Sequence, residues 1–345
     1  MIADCPAKEN FESYYLVEDI EQLTEWLELE SILAILPIGI SSDNIFIPNS
    51  EYKTKVFTGN HEIILGGLED RYGRDNLLQV LRYFIPEVLS DLNNSPFSLY
   101  LNQNKDFIGQ MYLADIVAIV TSVRIEGQHW GVPIACTCPC DRAIKIQPKS
   151  ESDYHNLKGL KFRVWRGERE PRFKYKLKRS VGELTHIILS PPKFAHVFDP
   201  GFRKSELAQE SKEVILLSNI DEITYEKLSA SDRTCLKEQA AEVATIGMEH
   251  NIEMFCPECD LIWDSPLILG INHPDFILSL LTAPRGEDGD TRDYIFELVK
   301  FLTFGEQAPF KSASEILELT PKTRNNMVQA LSESYKEQAR KMKSK

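Results

Sequence analysis

Five of the seven cysteines fall into two clusters, Cys136-Thr-Cys138-Pro-Cys140 and Cys256-Pro-Glu-Cys259, while Cys5 and Cys235 stand alone. Two thiolates separated by two residues of tight turn can both reach one ion. Zn²⁺ takes four such ligands in a tetrahedron, at about 2.3 Å from each sulfur. The Cys256/Cys259 pair supplies half of that set. The other half must come from elsewhere, and Cys136 to Cys140 is the only other cluster. Three cysteines compete there for two places. Cys136 and Cys140 have three residues between them; Cys138 and Cys140 have one. The spacing leaves Cys140 paired with either Cys136 or Cys138. The metal candidates are therefore Cys136, Cys138, Cys140, Cys256 and Cys259, and the expected cofactor is one structural zinc ion. His129, His250 and Asp260 lie nearby in sequence but are not required. The rival reading is a set of reduced cysteines in a core, or a degenerate former site.

No catalytic chemistry is legible. A catalytic zinc keeps three protein ligands and an open position, often with histidine and a glutamate base. No HExxH or HxE…PCxxC pattern is present. No Walker loop is present, and Gly66-Gly67 is too sparse to cradle a phosphate. Glu287-Asp-Gly-Asp290 resembles part of a calcium loop but lacks its later glycine and bidentate glutamate, so it reads as a turn. The expectation is a protein that is not an enzyme, with no small-molecule substrate. Residues 158–179 form a local exception to the acidic character of the chain, with ten Lys or Arg against two acids, Glu168 and Glu170. They form either a solvated face or a contact surface for an acidic partner. The alternative function is a metal-stabilised nucleic-acid-binding module that uses this basic segment as a hairpin.

The elements that must position these residues follow from periodicity. Residues 18–36 read as one helix, with Ile20, Leu23, Leu27 and Leu33 at helical spacing and Pro37 and Gly39 as its stop. Residues 44–48 and 52–65 read as short strands. An amphipathic helix follows Asp75, with Leu78, Leu81, Phe84 or Ile85, Val88 and Leu92 on one stripe and Pro86 inside it. A further helix is predicted over 108–124. Strands at 132–134 and 143–146 flank the first cysteine cluster. Residues 161–166 and 173–178 alternate with period two around the turn signal 167–171, which predicts a β-hairpin continued by a strand near 185–189. A long helix is expected over 229–250. Strand-like residues precede Cys256, and 261–264 is the return strand. Helices are expected at 276–281, 293–304, 312–319 and from Thr320-Pro321 onward.

The fold class predicted is α+β, with helical N- and C-terminal regions around a central β-rich unit that carries a split zinc-ribbon-like site. The domains are 1–105 (α/β), 106–273 (β-rich, clasped by the two cysteine clusters) and 274–345 (helical, with a frayed basic tail). The 345 residues carry 43% hydrophobic and 26% charged side chains, an ordinary globular composition. The net charge of −13 argues against a chain that binds a phosphate backbone as a whole. No apolar run reaches the roughly 20 residues of a membrane span. No leader with a basic end and an apolar centre is visible, so clustered cysteines favour metal over disulfides.

The order of these features carries a resemblance. Ser122-Val-Arg124-Ile-Glu-Gly127 ends a helix and is followed by a strand, the Cys136–Cys140 cluster and Asp141-Arg-Ala-Ile-Lys-Ile146. Later, Phe255-Cys-Pro-Glu-Cys259-Asp leads to Asp275-Phe276 and a helical tail. This resembles the base plate protein family of T-even-like contractile phages, over roughly 106–329. Leu36-Pro-Ile-Gly39 is a looser match ahead of it. The resemblance implies a structural or assembly role at the baseplate hub of a contractile tail or of a related injection system. Its implied partners are other baseplate or hub proteins, or further copies of the chain in an oligomer or ring, with no nucleic acid and no membrane span. It also implies assembly in the cytoplasm and residence in a virion tail or an injection-system baseplate.

Overall fold

A computed structural model describes residues 14–42, 45–73, 76–90, 97, 100–101, 107–127, 131–132, 136–140, 145–146, 155–156, 161–197, 209–247, 251–266, 302 and 312–343. A 3₁₀ turn at Val17–Asp19 opens into α1 (Ile20–Leu23), β1 (Thr24–Glu28), α2 (Leu29–Ile32) and the antiparallel pair β2 (Gly39–Ser42) and β3 (Ile45–Pro48). Four helices follow: α3 (Gly59–Tyr72), α4 (Leu77–Val88), α5 (Phe107–Gln110) and α6 (Leu113–Glu126). The two-residue strands β4 (Gly131–Val132), β5 (Cys136–Thr137), β6 (Lys145–Ile146) and β7 (His155–Asn156) precede β8 (Lys161–Trp165), β9 (Phe173–Val181) and β10 (Leu184–Leu189). Then come α7 (Phe194–Val197), α8 (Gln209–Leu217), α9 (Glu222–Lys227) and α10 (Ala230–Ala244). Strands β11 (Asn251–Phe255) and β12 (Ile262–Pro266) and helices α11 (Ala313–Leu317) and α12 (Pro321–Lys343) complete the described chain. The fold is α+β, with antiparallel two-stranded sheets among helices. Among the described residues no helix is long and apolar enough to cross a membrane.

Helix α6 is the centre of the core. Every residue from Leu113 to Arg124 is buried, as expected for a helix that is apolar on all sides. Of its polar members Asp115 and Ser122 are bonded, while the buried Thr121 hydroxyl has no partner among the described residues. The Asp115 carboxylate accepts the backbone N–H of Ile38 at 2.8 Å and of Gly39 at 3.1 Å. Burial nevertheless pushes its pKa up to about 7. The Ser122 hydroxyl donates to the Ala118 carbonyl at 2.9 Å, and the Tyr52 hydroxyl lies 2.6 Å from it.

Several expectations are corrected. Residues 18–36 are not one helix: β1 interrupts them, because its backbone pairs antiparallel with β8, Thr24 opposite Trp165 and Glu28 opposite Lys161. Tertiary pairing overrides the helix propensity of Glu and Leu. Residues 59–65, expected as strand, are the first half of helix α3, which buries Gly59, Glu62, Leu65, Gly66 and Glu69 along one side. The helix expected over 108–124 breaks at Tyr112, where the chain turns extended and pairs with Lys193. The Leu113 N–H then donates to the Pro192 carbonyl at 2.9 Å.

The basic hairpin is also corrected. Segments 161–165 and 173–181 do not pair with each other: β8 pairs with β1, and β9 pairs with β10. Nor does β8 show an exposed basic face. Lys161 is exposed, but Phe162, Arg163, Val164 and Trp165 are all buried. The Arg163 guanidinium donates to Thr24 at 2.9 Å, Glu242 at 2.6 Å, Glu21 at 2.7 Å and Thr245, and so ties β8 to β1, α1 and the end of α10. Trp165 is enclosed edge-on by Tyr15 and Phe173, with ring centroids 5.3 and 5.7 Å away.

The C-terminal helices dock on α3. Arg324 and Glu62 form an ion pair with both side chains 1% exposed. Gly59 makes the close approach: a Cβ there would lie 2.4 Å from the Arg324 Nη1 and 3.2 Å from the Leu317 Cα. The expected helices at 276–281 and 293–304 lie outside the described residues, apart from Leu302, which is buried.

Candidate metal centre

Two hairpins carry the cysteines. β11 and β12 pair in register from Asn251 opposite Pro266 to Phe255 opposite Ile262, so Cys256-Pro-Glu-Cys259 is their connecting loop. The loop closes through two backbone bonds of 2.9 Å, from the Cys256 N–H to the Leu261 carbonyl and from the Asp260 N–H to the Cys256 carbonyl. Asp260 takes φ 57° just after the second cysteine. Aspartate is among the few non-glycine residues that accept this left-handed conformation. β5 and β6 pair Cys136 with Ile146 and Thr137 with Lys145, and Cys138 and Cys140 lie just beyond β5.

The structure brings the Cys138, Cys256 and Cys259 sulfurs within 4.8 Å of one another, with Cys138 and Cys256 buried and Cys259 exposed. Cys138 and Cys259 are 121 residues apart in sequence, yet their sulfurs are 3.6 Å apart. Cys140, half-buried, has its thiol in hydrogen-bonding contact with both Cys138 and Cys259. Cys136 occupies β5, two residues upstream, with its backbone opposite Ile146. Cys235 lies away from this group, beside Lys178. Cys5, His129 and His250 lie outside the described residues. Asp260 contributes the turn through its backbone.

The geometry fits a metal. A tetrahedron with metal–sulfur distances of about 2.3 Å has sulfur–sulfur edges of about 3.8 Å. The observed 3.6 Å contact sits close to that edge and far from the roughly 2.05 Å of a disulfide. An all-sulfur donor set is soft and suits zinc or iron rather than magnesium or calcium.

The electrostatics separate the thiols. Burial pushes the Cys138 thiol up to about 12. Burial also opposes ionisation of Cys256, but the Glu258 and Cys259 backbone N–H groups, with neighbouring thiol donors, hold its pKa below the ordinary value. The Leu261 N–H favours the Cys259 thiolate; contact with Cys256 and desolvation outweigh it, so that thiol is raised. The turn's own amides therefore ease ionisation of the Cys256 thiol relative to its two neighbours. These amide donors from Glu258, Cys259 and Leu261 were not legible in the sequence beyond the Cys-Pro-x-Cys spacing that implies a tight turn.

Comparison of the chain with family models, with curated proteins and with solved structures found no match. The reading of this centre therefore rests on its residues.

Proposed function

We propose that Cys138, Cys140, Cys256 and Cys259 hold one structural zinc ion in a split zinc-ribbon-like clasp. We further propose that the chain is a non-enzymatic structural or assembly component of the baseplate hub of a contractile tail or injection system. The observation that carries the metal reading is the convergence of thiols from two hairpins 121 residues apart in sequence. When bound, zinc supplies a tetrahedral crosslink and no reaction. The protein's part is to bring four sulfurs together and to donate amide hydrogens to the thiolates, which lowers the energy of the ionised ligands.

Support for the baseplate reading comes from the motif order between Ser122 and Phe276. The physical logic agrees with it. A tail baseplate bears load during contraction, and a metal crosslink between distant strands stiffens a chain whose local strands are only two residues long. Native mass spectrometry with and without a chelator tests the metal: one zinc per chain, lost on chelation, is expected, and a metal-free native mass would overturn it. Negative-stain imaging of tail or injection-system particles assembled with a labelled copy tests the role. Label at the baseplate or on its assembly intermediates is expected; absence from both would overturn it.

A further inference from the structure

The basic run of 158–179 divides into two populations in the fold. Three of its five arginines make internal ion pairs. Arg163 bonds Glu21 and Glu242, Arg166 bonds Glu25 at 2.8 Å, and Arg172 bonds Glu170 at 2.9 Å. The lysines of β9 behave differently. Phe173, Tyr175 and Leu177 are buried, while the alternate residues Lys174, Lys176 and Lys178 lie on the opposite face, Lys176 and Lys178 exposed and Lys174 half-buried. Among the described residues neither Lys176 nor Lys178 makes an ion pair. The Lys178 ammonium donates only to neutral acceptors, Ser231 Oγ at 2.8 Å and Cys235 Sγ at 3.3 Å.

Strand β10 adds to this face. The register puts His186 opposite Lys176 and Ile188 opposite Lys174. Burial, and then Lys174 and Lys176, hold the His186 imidazole below its ordinary range, which reports a positive field on that side of the ribbon. A chain with net charge −13 has acids in excess to neutralise such a cluster, yet Lys176 and Lys178 carry none. Lysine is a compact, strongly hydrated point charge on a flexible stem, which suits reversible docking better than internal bracing.

We infer that the Lys176–Lys178 face of the β9–β10 ribbon docks an extended acidic protein segment with carboxylates at alternate positions. Alternate residues of a strand repeat at roughly 6.6 Å on one face. An extended Glu-x-Glu-x-Glu segment presents its carboxylates with that same repeat. This inference is independent of the metal and of the baseplate reading.

The test uses the full chain and a fluorescent dodecapeptide of alternating Glu and Thr. The same peptide with Lys for Glu, and a single-stranded oligothymidylate, serve as comparators. Saturable binding of the acidic peptide that weakens as salt rises is expected. Lys176→Gln with Lys178→Gln should weaken it about tenfold, and the Glu pair should abolish it, with an unchanged melting temperature. Lys176→Gln alone, at an exposed position, gives a second reading that does not disturb Ser231 or Cys235. Absent binding, equal binding by the wild type and the Glu pair, or stronger retention of the oligothymidylate than of the acidic peptide would overturn the inference.

Discussion

Replacing Arg163 by alanine should destabilise the protein by about 3 kcal/mol, while Lys176→Ala, thirteen residues along the same basic run, should change stability by less than about 0.5 kcal/mol. Arg163 is 2% exposed. Its guanidinium holds two carboxylates and two threonine hydroxyls, and it lies over the Trp26 ring at 5.6 Å. Removing one partner of a fully buried ion pair costs about 3–5 kcal/mol. Here Glu21 keeps 80% of its side chain exposed and Glu242 42%, so both carboxylates regain water when the arginine is lost. That pulls the estimate to the lower end. The cation–π contact with Trp26 adds roughly 0.5–1 kcal/mol, and the Thr24 and Thr245 hydroxyls lose charged donors. Arg163→Lys should recover little, because one ammonium cannot span acceptors on β1, α1 and α10. Urea unfolding monitored by tryptophan fluorescence measures both variants. Equal midpoints for Arg163→Ala and Lys176→Ala would refute the claim that the arginine braces the core while the lysine serves the surface.

Three further outcomes are expected. Cys256→Ser should lower the melting temperature and remove its sensitivity to chelator, whereas Cys235→Ser should leave both within about 0.5 kcal/mol of the wild type; identical chelator responses in the two variants would count against the metal centre. Asp115 has a folded pKa of about 7 against an ordinary 3.8, so the folded state keeps a proton that the unfolded chain releases. Its contribution is fully present below pH 3.8 and is lost as pH rises toward 7, by about 4 kcal/mol in all. Asp115→Asn should flatten that part of a pH–stability curve, and an unchanged slope would refute it. Arg324→Ala leaves the Glu62 carboxylate buried without its guanidinium and should cost about 3–5 kcal/mol, while Arg324→Met with Glu62→Leu should restore most of that stability in urea titrations.

What was legible in the sequence was local. The α10 helix announced itself through Leu236, Ala240 and Val243 on its buried side, although its cap is Ser229, whose hydroxyl accepts the Asp232 N–H at 3.1 Å, and not the Ser231 segment. The Cys256–Cys259 loop between two strands was visible because a Cys-Pro-x-Cys spacing leaves little but a tight turn. What was hidden depends on partners distant in sequence. Nothing in Thr24–Glu28 distinguishes a strand from a Glu-rich helix until β8 lies beside it. The apparent period of two in 161–166 suggested an exposed basic face, but both sides of β8 are covered, so alternation there carries no information about solvent. Helix α3 was mistaken for strand because Ile63, Ile64 and Leu65 form an apolar run, and its glycines conceal a helix that buries Gly59 and Gly66 against neighbours. The choice among Cys136, Cys138 and Cys140 was equally out of reach, since it depends on which residues lie beyond the end of a two-residue strand.

The apolar core and the proposed metal centre differ in what surrounds them. Around α6 the core is continuous: Ile116, Val117, Ile119, Val120 and Val123 are fully buried, and Ile38, Leu36, Phe84, Ile85 and Trp165 belong to the same apolar cluster. Burying a side chain of that size stabilises the fold by roughly 1.5–3 kcal/mol, and no ligand is needed. The described end of the β11–β12 hairpin has less of this support, although Met254 packs against the core. The Phe255–Ile262 pair that closes β11 and β12 is 53% and 59% exposed, and Leu261 is 38% exposed. Strands β4 to β7 are two residues each. A lone two-stranded hairpin is marginal in water even when longer. Thiols that meet at 3.6 Å across 121 residues of chain therefore stand beside an exposed hairpin end. Four thiolates around one ion can supply there the binding free energy that a larger region would obtain by excluding water. On this reading the cysteines need no catalytic or redox role to explain their placement: a crosslink is most effective where the strands it joins are too short to stay paired by themselves.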